Sequence, residues 1–117
     1  MTEVVAIVRR QRVVATRTEL LRAGCPGYTV FSALGRGRQR GLRPRHQADG
    51  NTAPGHAFLP RAVFRIVIED GQALEMVEAV IRANQTGEFG DGRIFLSKLD
   101  DAYRMSDARA RVMEVVS

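Results

Sequence analysis

Three glycines and an aspartate fall within seven residues of the run Thr86-Gly-Glu-Phe-Gly-Asp-Gly-Arg-Ile-Phe95. Glycine turns through positive φ and lets backbone N–H groups approach a ligand with no Cβ in the way. A loop of this kind that ends in a guanidinium, here Arg93, suits phosphate oxygens, because several neutral donors and one cation can converge on the anion. The same composition also makes a tight connection between two elements, and the run alone does not choose between these roles. A second glycine segment, Gly35-Arg-Gly-Arg-Gln-Arg-Gly41, lies upstream. It follows a strand-like run without opening a helix, so it is not the dinucleotide fingerprint.

No catalytic set accompanies these segments. His46 and His56 have no fixed carboxylate neighbour and read as solvated loop residues. Cys25, between a helix stop and a proline, reads as a small packing residue. The serines lack a nucleophile elbow. Asp100-Asp101 would serve as a metal pair or as a solvated strand end, and the second reading is preferred. One cysteine and two histidines supply no zinc site of recognisable spacing. Enzymatic turnover is not expected.

Short elements must position the glycine segments. Residues 3–8 (Glu-Val-Val-Ala-Ile-Val) are apolar and β-branched, a buried strand. Over residues 12–23 the apolar Val13, Leu20 and Leu21 fall on one helical face, and Gly24 with Pro26 supplies the stop. Residues 28–34 are a second strand. Residues 35–60 have neither period; five glycines, the prolines Pro44 and Pro54 and the like charges of Arg36, Arg38, Arg40, Arg43 and Arg45 predict a functional loop that is mobile when unliganded. Residues 62–68 are a third strand. Asp70 is expected to cap a helix over 71–84, with Leu74, Val77, Ile81 and Asn84 on one side and Ala73 and Val80 beside them. Residues 94–99 are a fourth strand, and 108–115 a short terminal helix or strand.

The order is therefore β-α-β, long loop, β-α-β. Two such split units with right-handed crossovers give an α+β ferredoxin-like plait: a four-stranded antiparallel sheet with two helices on one face. Nothing in the chain covers the other face, so copies of the chain are expected to bury it in a closed oligomer.

Composition agrees with a binding domain of this size. The 117 residues suit one domain, and the 44% hydrophobic and 26% charged fractions are those of a soluble protein. No apolar run approaches a membrane span, no secretory signal opens the chain, and a lone cysteine fits a reducing cytoplasm. The formal net charge is +5, carried almost entirely by arginine against the single Lys98. That bias suits anionic partners, and a genomic preference for arginine codons produces it equally. An RNA-binding plait needs stacking aromatics on its third strand, where only Phe64 is offered; nucleic acid is not the expected partner.

The pattern resembles the PII signal-transduction proteins over residues 4–105. The resemblance is carried by Ala6-Ile7-Val8-Arg9, Gly27-Tyr-Thr-Val30, the segment 35–41, Phe58-Leu-Pro-Arg61 and the run 86–95. It implies one domain over 1–117, with a T-loop at about 36–60, a B-loop at 86–93 and a C-loop at about 102–110. It implies a homotrimer whose clefts between subunits bind ATP or ADP, with 2-oxoglutarate as effector. The adenine pocket would include Ile7, Thr29 and Val67. The phosphates would be held by Gly90, Gly92 and Arg93, with Phe89 and Asp91 in the same loop, by the T-loop base at Gly35, Gly37, Arg38 and Gln39, and by Arg104 from the neighbouring subunit. Gln39 would help coordinate Mg²⁺ with 2-oxoglutarate, and Arg61 would contact that ligand's carboxylate.

Some residues depart from the family pattern. Ser106 replaces the second C-loop arginine, and Glu88 stands where lysine is common. The usual Arg-Thr-Gly-Glu ending is replaced by Ser106-Asp-Ala-Arg109. The tyrosines are Tyr28 and Tyr103, so uridylylation of a T-loop tyrosine is excluded. The tyrosine-free T-loop, its opening Leu34-Gly-Arg-Gly-Arg-Gln-Arg-Gly-Leu42 and the C-loop serine resemble the nitrogenase-associated branch, which implies a T-loop that docks on dinitrogenase. An ammonium transporter or a carbon-metabolism enzyme would be the alternative target.

Overall fold

Alternation along the first strand sets the layers. Thr2, Val4, Ala6 and Val8 of β1 (Thr2–Arg9) are buried, while Glu3, Val5, Ile7 and Arg9 are only partly covered. A strand sends successive side chains to opposite faces, so one face of β1 is core and the other is open. The computed structural model describes residues 1–35 and 59–106. Most of the expected T-loop with His46 and His56, and the expected terminal element at 108–115, lie outside the described residues.

After β1 come a 3₁₀ turn (Arg10–Arg12), α1 (Val13–Arg22), β2 (Thr29–Gly35), β3 (Leu59–Ile68), a second 3₁₀ turn (Asp70–Gln72), α2 (Ala73–Asn84) and β4 (Arg93–Lys98). The sheet order is β2-β3-β1-β4 and every neighbouring pair is antiparallel, the ferredoxin-like arrangement that the element order predicts. Val4, Ala6 and Val8 pack with Ala62, Phe64, Ile66 and Ile68 beneath Leu20, Met76, Ala79 and Val80, so both helices cover one face.

The helices differ from expectation in their buried stripes. Leu20 is buried, but Leu21 is 76% exposed, and the inward position one turn earlier belongs to Thr16. In α2 the inward residues are Ala73, Met76, Ala79, Val80 and Ala83, whereas Leu74 and Ile81 face outward. Alanines allow a close approach to β1 that larger side chains on that stripe would prevent. Asn84 closes the contact: its Nδ2 donates to Thr16 Oγ1 (3.0 Å) and to the Val80 carbonyl (2.9 Å). Asp70 does not cap α2, since no side-chain bond caps that helix. Its carboxylate accepts from Lys98 Nζ (2.6 Å) and Thr2 Oγ1 (2.6 Å) and pairs with the terminal ammonium, which holds it well below the usual carboxylate range and ties β1, β4 and the second turn together.

The open face carries Phe31 on β2 opposite Val63 on β3, which pairs with Ile7, and Val5 on β1 opposite Phe95 on β4. Phe31 and Phe95 are about half exposed. A Glu3–Arg65 ion pair flanks this apolar strip. Cys25 packs against the core margin and its Sγ bonds the Gly27 carbonyl (3.3 Å); burial raises its thiol pKa, which agrees with a packing role.

Candidate functional site

Four strand ends and one glycine loop meet at one end of the sheet. Arg9 ends β1 and faces Arg61 across the β1–β3 ladder. Gly35 and Leu59 form the last pair of β2 and β3, at the mouth of the arginine-rich loop. Ile7 pairs with Arg93, where β4 begins. Ile7, Gly35, Leu59, Arg61 and Arg93, with positions 88–92, enclose a cleft of about 370 Å³, and Arg9 lies behind its wall, bonded to the loop. A second hollow of about 350 Å³ lies behind the loop, between α2 and β4, where the apolar Val77, Val80, Ile81 and Ile94 meet Asn84 and Gln85.

Asp91 gives the loop its shape. One carboxylate oxygen accepts from the N–H groups of Thr86 and Gly87, both at 2.8 Å, and the other from the Thr86 hydroxyl. Thr86 Oγ1 in turn accepts from the Glu88 N–H at 3.2 Å. An aspartate that gathers nearby backbone donors organises a turn as a backbone carbonyl would, but with charge assistance. Arg9 Nη1 stands 3.3 Å from Asp91, and Arg9 Nη2 donates to the Phe89 carbonyl at 2.8 Å. Arg61 Nη1 donates to the Gly90 carbonyl at 2.9 Å. Gly92, at φ 119°, lies against β1 so closely that a Cβ would sit 2.1 Å from the Ile7 carbonyl oxygen.

These bonds fix the electrostatics. The Thr86 hydroxyl, the Thr86 and Gly87 N–H groups and the Arg9 charge lower the Asp91 pKa to about 2. Its folded value lies below its unfolded one, so its contribution is complete above the ordinary carboxylate range and is lost as pH falls through about 2. Amide-exchange protection at Thr86 and Gly87, corrected for intrinsic rate, is therefore expected to stay level from neutrality to about pH 4 and to collapse only below that. Arg9, Arg61 and Arg93 outnumber Asp91 and Glu88 around the cleft, and burial followed by the Arg9 charge depresses the Arg61 pKa. A local excess of guanidinium in a glycine-lined recess suits an anion.

Of the site residues expected from the sequence, Ile7, Gly35, Arg61, Phe89, Gly90, Asp91, Gly92 and Arg93 line this cleft. Thr29 and Val67 share the open face with Ile7 but lie further along the strands; Val67 pairs with Glu3, four residues from Ile7, roughly 13 Å at the strand rise. Arg104 follows β4 in an exposed segment. Gly37, Arg38 and Gln39 lie outside the described residues. Among the described residues no cluster of metal-ligating side chains is found, and Asp100 and Asp101 are exposed beyond β4. Phe64, the single aromatic that a base-stacking reading had on the third strand, is fully buried under the helices.

Two residues at the site carried no role in the sequence reading. The Thr86 partnership with Asp91 had a signal, since a threonine and an aspartate bracketing a glycine turn commonly bond within it. Arg9 had none, because its position opposite Arg61 exists only once the strand register is known.

A protein-family model described as nitrogen regulatory protein P-II matches residues 1–109. Nitrogen regulatory protein P-II 2 of Methanothermobacter thermautotrophicus is 35% identical over 105 residues, covering 90% of this chain and 89% of its own. Nitrogen fixation nifHD region GlnB-like protein 2 of Methanothermobacter marburgensis is 34% identical over 116 residues, with 90% and 92% covered. Nitrogen regulatory protein P-II of Synechocystis is 35% identical over 105 residues, with 90% and 91% covered.

Proposed function

The chain belongs to the nitrogen regulatory protein P-II family, whose members are signalling proteins and not enzymes, and from that membership we propose that it is a cytoplasmic, homotrimeric sensor of ATP or ADP and 2-oxoglutarate. The convergence of the glycine loop, Arg61, Arg93 and the mouth of the arginine-rich loop in one cleft supports this reading most directly. The recess fits polyphosphate: Gly90 and Gly92 put no side chain on its wall, and the cation excess offsets the phosphate charge. Ile7 lies in the cleft, whereas Thr29 and Val67 lie further along the same open face. These three can meet around one base if a neighbouring subunit supplies part of the pocket, which is the arrangement a closed trimer packed through its open faces provides. Arg104 would reach the phosphates from such a neighbour. Mg²⁺ would be held through Gln39, where it would neutralise phosphate charge and bridge to 2-oxoglutarate, and Arg61 would receive that ligand's carboxylate.

The switch is a difference in ligand affinity between two states of the T-loop, the segment that would dock on a target; a ligand bound equally by both states shifts nothing. Relatives named for the nifHD nitrogen-fixation region favour nitrogenase as the target. Relatives named only as P-II, at 35% identity against 30–34% for those, keep a second target, an ammonium transporter or carbon-metabolism enzyme, in view.

Calorimetry with ATP, ADP and 2-oxoglutarate tests the reading, and an intact protein that binds no nucleotide overturns it. Glu88 sharpens the test. It places an exposed carboxylate at the cleft rim, so Glu88→Lys is expected to tighten ATP binding by about fivefold, the effect of reversing one partly screened charge. The gain should shrink as salt is added.

A further inference from the structure

Arg9 and Arg61 form one register pair, two cations directly opposite each other in the sheet. Like charges in that relation destabilise an antiparallel pair, so something must offset them. The offset comes from the glycine loop, which gives Arg9 the Phe89 carbonyl and the Asp91 carboxylate and gives Arg61 the Gly90 carbonyl. Gly90 turns at φ 91°, a conformation that a side chain disfavours, and its missing Cβ would lie in ordinary contact with both guanidinium groups, 3.4 Å from Arg9 and 3.5 Å from Arg61.

The grip has a directional consequence. A trans peptide carries its C=O and N–H on opposite sides, and there is no cis peptide bond among the described residues. Holding the Phe89 and Gly90 carbonyls against the strand arginines turns the Gly90 and Asp91 N–H groups away from the strands. We propose that Arg9 is the positioning residue of the cleft: by holding the Phe89 carbonyl and Asp91 at once, it fixes the loop with those N–H groups presented to phosphate, without touching the nucleotide itself. This inference rests on the nucleotide reading above. It requires the guanidinium fork, which spans two acceptors; an ammonium is a point charge that cannot hold both in the same geometry.

The test uses the intact protein with Arg9→Lys, Arg9→Gln, Asp91→Asn and the double variant Arg9→Lys/Asp91→Asn. Hydrogen exchange over residues 86–91 is followed without ligand, and ATP affinity is measured by calorimetry. In the ligand-free Arg9→Lys protein, exchange is expected to accelerate while the thermal midpoint stays near wild type. ATP affinity should fall about tenfold, the usual effect of losing one charge-assisted contact. The double variant should lose no more than Asp91→Asn alone, since both changes release the same loop. If Arg9→Gln fails to fold, Arg9→Lys carries the result. Unchanged exchange with weakened ATP binding would make Arg9 a direct phosphate contact and overturn the inference, as would faster exchange with unchanged affinity. A wild-type protein that binds no nucleotide overturns the nucleotide reading instead, and the grip on the loop is then judged on exchange alone.

Discussion

Gly92→Ala is expected to be the most damaging single substitution in the cleft, with a stability loss of about 3–5 kcal/mol and a thermal midpoint lower by more than about 10 °C. The alanine Cβ would sit 2.1 Å from the Ile7 carbonyl oxygen, a backbone atom on a central strand that cannot swing aside, and φ 119° is itself disfavoured for any residue with a side chain. Relief requires β4 to shift along β1, which would misplace Arg93 and the end of the glycine loop together. Nucleotide binding should therefore fall at least about tenfold under conditions where the protein remains folded. Gly87→Ala is the informative contrast. Gly87 also has positive φ, but no atom lies within 4 Å of its missing Cβ, so the loss there should be about 1 kcal/mol. Thermal melts and ATP titrations of the two variants separate a steric lock from a conformational preference.

Phe95→Asp is expected to convert the proposed trimer to single chains. Phe95 lies beside Val5 on the open face and is 51% exposed within one chain, so the substitution leaves the helix-side core untouched. In a closed trimer the same ring would be buried, with about 1.5–3 kcal/mol of transfer energy per copy, and the carboxylate that replaces it would be desolvated without a cation made for it. Symmetry repeats that loss at each interface. Sedimentation should show a mass near three times 13.0 kDa for the wild type and near 13.0 kDa for the variant. Leu74→Asp alters a more exposed leucine on the outer side of α2 and should leave the mass unchanged. If the wild type sediments as a single chain, the trimer proposal is wrong, and the pocket cannot be completed by a neighbour.

The plait was legible in the sequence because its signals are local. The alternation of β1, the Gly24–Pro26 stop and the apolar run of β3 each need only a few neighbouring residues to be read. The helix faces were harder. In α2 the contact with the sheet is made by Ala73, Met76, Ala79, Val80 and Ala83, and a reading that looks for large aliphatic residues also selects Leu74 and Ile81, which are exposed. Asp70 was misread for a different reason. An aspartate before a helix is a good cap in isolation, but here a 3₁₀ turn intervenes and a lysine distant in sequence, Lys98, competes for the carboxylate. The glycine loop was visible as a motif. Its internal logic, in which Asp91 organises the turn and Arg9 grips it, depends on strand register and could not be read from spacing.

The Gly35–Leu59 pair has a consequence for how such proteins diversify. Because the sheet itself brings these two residues together, the two ends of the intervening segment are held at a fixed separation whatever lies between them. The closure entropy of a flexible insertion grows only logarithmically, about 0.6 kcal/mol for each doubling of length. Length and sequence there can therefore drift far at little thermodynamic expense, while the cleft at its root stays under the steric control of Gly92 and the register of β1. One scaffold can in this way hold the cleft constant while the sequence between these two ends is rewritten, so that what the protein addresses can change without a change at the root.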